Sequence, residues 1–431
     1  GHMAKDTSKG LRSSFTYQIF VRDYSKSGDF KGVTRDLGRI KGLGADIIHL
    51  LPIHPIGKVN RKGSMGSPYA IKDYTRVDPA YGGEEDLAEL LDKAHSLGIK
   101  VLMDVVYNHT SPDSELARLH PEWFYIKDGK PCNKVGDWWD VIDLDYSKGG
   151  KPLEEYLIGN LVKWALFGFD GFRCDVASLV PVDFWTKARK RVAEAKPGCI
   201  WLAESVHGDF VVLNRRHGYE AASDSQLFEA FDICYDYDIH GRFHDYALGK
   251  GSLRQYLQAL RSQEYIYPEN YVKVRFLGNH DQERPAALFK DRQVLEAWTA
   301  FSFFNKGAAL VYMGDETLTD HRPSLFEKED IDWGKLDVGF SDLIRNLASL
   351  KKLDYFIKSP YFEVDENEEE AIVAFYELGG KRLYGIFKVG GHDASPGIAI
   401  PDGTYRPLLG CDVKVANGKA MLEKSFAILE A

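Results

Sequence analysis

"PLEEYLIGNLVKWALFGFDGFRCDVASLV" occupies residues 152–180. Residues 152–167 read as a helix and residues 169–175, "FDGFRCD", as a strand. A strand covered on both faces is almost continuously apolar. This one starts that way, with Phe169 and Phe172, and then places Arg173 and Asp175 two residues apart. Residues two apart on a strand point to the same side. An arginine and an aspartate therefore stand together at the end of an otherwise apolar strand, preceded by a helix.

The same helix–strand alternation continues in both directions. Strands are read at 14–21 "SFTYQIFV", 45–52 "ADIIHLLP", 100–108 "KVLMDVVYN", 199–205 "CIWLAES", 229–235 "EAFDICY", 271–281 "YVKVRFLGNHD" and 308–316 "AALVYMGDE". Helices are read at 32–44, where a glycine marks the stop, and at 84–98, where Leu87, Leu90, Leu91 and Ala94 share a face. Further helices fill 182–195, 252–263, 290–305 and 340–353. Eight strands alternating with helices predict a parallel sheet closed into a (β/α)8 TIM barrel, an α/β fold. A doubly wound open sheet also alternates, but no glycine-rich phosphate loop follows the first strand. The stretch 108–150 is too long for an ordinary β-to-α connection and is rich in aromatic and polar residues, so it reads as a small inserted subdomain after strand three. From 355 to 431, alternating runs are separated by Gly, Asp-Gly and Asn-Gly turns, which predicts a C-terminal antiparallel β-sandwich. The expected division is a barrel from 1–107 and 151–354, the insertion 108–150, and the β-domain 355–431.

Composition narrows the function. The 431 residues are 44% hydrophobic with a net charge of -9, enough chain for a large domain and a small one. The acidity argues against nucleic acid as a partner, and no apolar run is long enough to cross a bilayer. The five cysteines, an odd number with no C-x-x-C pair, suggest neither a disulfide framework nor a zinc site. Gly1 and His2 read as a cloning scar before Met3. With Met3 as the native start, the expected compartment is the cytoplasm and the expected state a monomer or homodimer.

In a barrel of this kind, catalytic residues sit at the C-terminal strand ends. Those ends carry Asp104, Asn108 and His109 on strand three, Arg173 and Asp175 on strand four, Glu204 on strand five, and Asn279, His280 and Asp281 on strand seven. Each alone has an innocent reading as a cap or a structural ion pair. Together they place three carboxylates from three strands, Asp175, Glu204 and Asp281, on one rim. Glycoside hydrolysis needs such a set: one carboxylic acid to protonate the leaving oxygen and one carboxylate to meet the oxocarbenium ion. Neighbours must then push the two pKa values apart. Arg173 is expected to hold Asp175 ionised, and desolvation to raise Glu204.

Four short motifs, in order, carry a resemblance to a known family: "DVVYNH" (104–109), "GFRCDVASL" (171–179), "AESV" (203–206) and "FLGNHD" (276–281), with "SPYAIKDY" (67–74) and "VIDLDY" (141–146) in support. The chain resembles the α-amylase family, glycoside hydrolase family 13, over nearly its whole length. The resemblance implies a retaining α-glucan hydrolase acting on maltodextrins or starch fragments, with Asp175 as nucleophile, Glu204 as general acid/base and Asp281 stabilising the transition state. It further implies that His109, Arg173 and His280 bind the same sugar, that Asp104 supports the site and that Tyr69 stacks on the ring. The two reacting carboxyls are then expected roughly 5–5.5 Å apart. No cofactor is required. Asn108 and Asp143 match positions that hold a structural calcium in many members; the residues alone leave open whether they bind an ion or hydrogen-bond the insertion in place. Among the aromatics of the insertion, Trp123, Phe124, Tyr125, Trp138 and Trp139, at least one is expected to form a sugar platform.

Two departures bear on the substrate. Many α-amylases place Lys-His three and four residues after the nucleophile; here those positions are Ser178 and Leu179. "NHDQERP" (279–285) is similar to the exo-acting glucosidases, and puts Arg284 at the edge of the site, yet their D-x-N-x-D-G loop is replaced by "RDYSKSGDF" (22–30). The alternatives are therefore an exo-acting α-glucosidase, a maltogenic or cyclomaltodextrin hydrolase, a glucanotransferase and, more remotely, a catalytically silent sugar-binding relative.

Overall fold

The computed structural model describes residues 6–135, 138–365, 370–391 and 393–431; Gly1 and His2 lie outside them. Eight parallel strands close into a barrel: β1 (Phe15–Ile19), β2 (Ile47–Leu50), β3 (Lys100–Val105), β4 (Gly171–Cys174), β5 (Ile200–Ala203), β6 (Ile233–Tyr235), β7 (Val272–Arg275) and β8 (Ala308–Tyr312). Each strand pairs with its sequence neighbours and β8 returns to β1, as predicted.

Strand polarity explains the charged pair. Side chains alternate between the barrel interior and the surrounding helices. The interior positions form an apolar cluster near the base that includes Ile47, Leu102, Leu202, Tyr235, Val274 and Leu310. One or two residues further on, the same inward row turns polar: Gln18, His49, Asp104, Arg173, Asp175 and Glu204 are all buried. Register brings these together. Asp104 on β3 lies opposite Arg173 on β4, and Cys174 opposite Ala203, so Asp175 and Glu204 leave the barrel side by side. Gly171 permits the close approach of β4 and β5, since a Cβ there would lie 2.1 Å from the Ile200 carbonyl oxygen.

The helices pack their apolar faces outside the sheet. α1 (Glu84–Ser96) buries the four residues named from its periodicity, Leu87, Leu90, Leu91 and Ala94. α2 spans Tyr146–Phe167, six residues longer at its start than expected, with a break at Gly150, where φ is 52°. The single helix expected at 32–44 is two short ones, Phe30–Thr34 and Leu37–Gly42; Asp29 caps the first through the Gly32 N–H. No helix of the described residues is long and apolar enough to cross a membrane.

Between β3 and α2 the chain forms the irregular insertion, closed at its base by antiparallel pairing of His109 with Asp143 and Thr110 with Ile142. At the C-terminus a five-stranded antiparallel sheet faces a three-stranded one, with Val373, Tyr384, Ile386, Val413, Val415 and Leu429 in the core between them.

Candidate active site

Arg173 is the centre of the site and is wholly buried. Its Nη1 donates to Asp175 Oδ1 at 2.9 Å and to Asp104 Oδ1 at 3.2 Å; its Nη2 donates to Glu204 Oε2 at 2.9 Å, and its Nε to the Tyr235 hydroxyl at 3.0 Å. Burial works against its charge, and Asp104, Tyr235 and Glu204 more than restore it. One guanidinium thus serves three carboxylates, which changes the expected division of charge. Asp104 receives most: besides Arg173, it accepts from Tyr69 Oη at 2.8 Å and lies 2.8 Å from His49 Nε2. Although burial opposes it, Arg173 and His49 hold its carboxyl below the usual range. Asp175 receives least. Burial and then Glu204 push its carboxyl well above the ordinary value, with Arg173 pulling the other way. The expectation that Arg173 keeps Asp175 ionised is corrected for the free site: shared among three acids, the arginine does not offset desolvation at Asp175.

Glu204 Oε1 accepts the Val176 N–H at 2.8 Å. Val176 adopts φ 35°, ψ 47°, a left-handed conformation that is strained for a β-branched residue, at a cost on the order of 1–3 kcal/mol. That turn, immediately after Asp175, aims the amide at Glu204.

His280 and Tyr69 stack at 5.5 Å, and the Tyr69 hydroxyl lies 2.8 Å from His280 Nε2. Burial lowers His280 and His109 to about 3, so both rings are neutral. His109 Nε2 is 3.9 Å from Asp175 Oδ2. Asp281, with its side chain 42% exposed, has Oδ2 3.2 Å from His280 Nε2. These groups open into a cleft of about 490 Å³ lined by Tyr69, His109, Asp175, Glu204 and Asp281.

A model of the alpha amylase catalytic domain matches residues 12–333, and one of the bacterial alpha amylase C-terminal domain matches residues 363–429. The chain belongs to the alpha-amylase family. Among solved structures, an alpha-amylase from Lactobacillus plantarum is 43% identical, with a TM-score of 0.93 over 98% of this chain and 100% of that one. A noncanonic maltogenic alpha-amylase from Thermotoga neapolitana is 35% identical, with a TM-score of 0.85 over 98% of this chain and 99% of that one. Among curated proteins, an amylopullulanase from Thermoanaerobacterium saccharolyticum is 25% identical over 77% of this chain but only 30% of its own length. The chain thus spans less than a third of that relative.

Against this family background, three features of the amylase site bear on the expectations: one departs from them and two settle points the sequence leaves open. Arg284 does not line the cleft. It is 2% exposed, and donates to the Met313 carbonyl at 2.7 Å, to Asp315 Oδ1 at 2.8 Å and to the His321 carbonyl at 3.2 Å, tying the loop after β8 to the loop after β7. Of the insertion aromatics, Trp123 and Phe124 are core residues. Tyr125 packs edge-on against Tyr219, and Trp139 is 62% exposed with Lys62 Nζ over its ring. Trp138 alone of the five lines the cleft, beside His109 and Phe210.

The third concerns calcium. Asn108 and Asp143 are both buried at the base of the insertion, as the family pattern implies. Lys134 enters between them: its Nζ donates to Asn108 Oδ1 at 3.2 Å and to the Leu179 carbonyl at 3.5 Å, and its N–H donates to Asp143 Oδ2 at 2.8 Å. Calcium takes six to eight oxygens, and here an ammonium already holds the Asn108 oxygen. This donor set does not fit the ion. Incubation with EDTA is expected to leave the thermal midpoint unchanged, whereas Lys134→Ala lowers stability by about 1–3 kcal/mol. A midpoint that falls with EDTA and recovers with calcium would contradict this.

Several groups here went unnoticed in the sequence. Gln18 Nε2 lies 2.9 Å from His280 Nδ1 and 3.2 Å from His49 Nδ1, linking the first, second and seventh strands. Gln18 and His49 carry the same signature as Arg173: a polar residue near the end of an apolar strand. Lys62 and Phe326, from loops, and Phe210 and Tyr237, from the first turns of the helices Gly208–Arg216 and Tyr237–Ala247, also line the cleft.

Proposed function

We propose that the chain is a retaining α-glucan hydrolase that cleaves α-1,4-glucosidic bonds of maltodextrins and starch fragments. The observation that carries this reading is the pair Asp175 and Glu204 bound to the two terminal nitrogens of one buried guanidinium. Each accepts at 2.9 Å from a nitrogen of that one guanidinium, which keeps both carboxyls at one reacting centre; the retaining course is the one the family resemblance implies. Glu204 protonates the glycosidic oxygen while the Asp175 carboxylate attacks the anomeric carbon. Water then attacks the glycosyl-Asp175 ester, giving its proton to Glu204. Asp281, His109 and His280 hold the sugar hydroxyls, Tyr69 contacts the ring and Arg173 positions both carboxylates. Barrel (1–107, 151–354), insertion (108–150) and β-domain (355–431) remain the division we adopt.

The leaving-group side favours short substrates. In place of Lys-His, Ser178 Oγ accepts the Val206 N–H at 3.0 Å, and Leu179 packs with Val211, Phe210 and Trp138. An apolar and aromatic wall offers stacking rather than cationic hydrogen bonds to the departing glucose. This is the observation that keeps maltogenic or cyclomaltodextrin hydrolysis, exo-glucosidase action and glucanotransfer as the second reading.

Incubation with maltoheptaose, cyclodextrin, pullulan and p-nitrophenyl glucoside, with products identified and the first-formed anomer read by NMR, tests both. Release of the α-anomer from maltoheptaose is expected. Release of the β-anomer, or no turnover of any of the four, overturns the proposal. Because Asp175 must be ionised to attack, the acid limb of kcat/KM should lie above the ordinary aspartate value of about 4. A limb at or below it contradicts the raised carboxyl.

A further inference from the structure

A second cavity, of about 760 Å³, shares no lining residue with the catalytic cleft and is formed by segments after β1, β2, β3 and β8. Its lining is basic although the chain is acidic. Arg22, Lys58, Arg61, Lys72, Arg76 and Lys328 face only three carboxylates, those of Asp73, Asp78 and Glu115.

Most of that positive charge is not held in direct ion pairs. Arg22 donates to backbone carbonyls, among them Gly66 at 2.9 Å and Leu325 at 3.0 Å, and Arg61 likewise to Gly57 at 3.0 Å. The side chains of Lys58, Lys72 and Arg76 have no hydrogen-bond or ion-pair partner among the described residues. Lys328 pairs with Asp330, outside the cavity. Glu115, in turn, is bound to Arg118 at 2.7 Å. Five cations thus form no direct ion pair, with Asp78 acting on Arg22 and Arg61 only at longer range.

Tyr81 lines the same cavity with its hydroxyl buried beside the Arg22 guanidinium.

The chemistry that satisfies all of these is a small dianion with several acceptor oxygens. Arginine and lysine together recognise phosphate well, the guanidinium through paired donors and the ammonium as a point charge. The cavity exceeds the size of phosphate alone, and the carboxylates of Asp73 and Asp78 can accept from hydroxyl groups. Tyr81 is the only aromatic ring in the described lining, so nothing offers a face for a nucleobase. We propose that this cavity binds a phosphate dianion, supplied either as inorganic phosphate or as the phosphomonoester of a sugar.

Titration calorimetry on the full chain at low ionic strength, with inorganic phosphate, glucose 6-phosphate and uncharged glucose, tests this. One saturable site for a phosphate-bearing ligand is expected, weakening as salt is raised. A glucose 6-phosphate affinity tenfold or more above that of phosphate assigns the ester as the source, and equal affinities assign free phosphate. The double variant Lys72→Ala, Arg76→Ala, altered only at solvent-accessible side chains outside the catalytic cleft, is expected to lose at least tenfold in that affinity. Its turnover of maltoheptaose should match the native chain. The proposal is overturned if neither phosphate ligand binds at millimolar concentration, or if the double variant binds as tightly as the native chain.

Discussion

Asp175→Asn should reduce kcat on maltoheptaose on the order of 10⁴-fold or more while leaving the fold intact. The amide cannot form the glycosyl ester, so the two-step route is closed. Stability should move the other way or not at all. Burial and Glu204 raise the Asp175 carboxyl in the folded chain. A carboxyl whose folded pKa lies above its unfolded value of about 4 favours folding below that value and loses the contribution as pH rises through the folded pKa. At neutral pH the charged aspartate is therefore a cost, which asparagine removes. The expected result is a silent protein with an unchanged or raised thermal midpoint. Turnover within tenfold of the native chain would remove Asp175 from the mechanism.

Replacing Arg173 with Met should be the most damaging single change to stability. Its guanidinium holds Asp104, Asp175 and Glu204 at hydrogen-bond distance in a fully buried setting. Removing one partner of a buried ion cluster leaves uncompensated charge and typically costs about 3–5 kcal/mol. The loss carries a pH signature. Without the arginine the Asp175 carboxyl rises further and Asp104 loses the charge that holds it down, so between pH 4 and their raised values the folded chain holds more protons than the unfolded one. Stability then falls as pH rises. Urea unfolding should show a larger deficit at pH 8 than at pH 5. Arg173→Lys should rescue little, because one ammonium cannot span the acids that two guanidinium nitrogens reach. An equal deficit at both pH values would mean that lost packing, not charge, dominates.

The same residues show how far local sequence reaches. Strand four was legible because its neighbours in the chain alternate as a barrel must, and because Arg173 and Asp175 interrupt an apolar run. The inward row of the barrel turns from apolar to polar at the C-terminal end of each strand, and each polar residue there is visible as an exception to its own strand. Asp104, Glu204 and Asp281 were found in that way, and Gln18 and His49 carried the same mark without being read. Arg284 was misplaced for the opposite reason: it lies in a loop, where neighbouring residues in the sequence do not fix direction, and packing turned it toward Met313 and Asp315 instead of the cleft.

The sequence by itself determined the barrel, the insertion, the β-domain and the rim on which the acids gather, because periodicity and strand-end polarity are local properties written residue by residue. Only the tertiary structure decided how charge is divided there and what occupies the neighbouring sites. One guanidinium shared among three acids, and an ammonium from Lys134 set against Asn108, are outcomes of register and loop packing. They join residues far apart in the chain, and the desolvation that sets their electrostatics exists only once those residues are buried together.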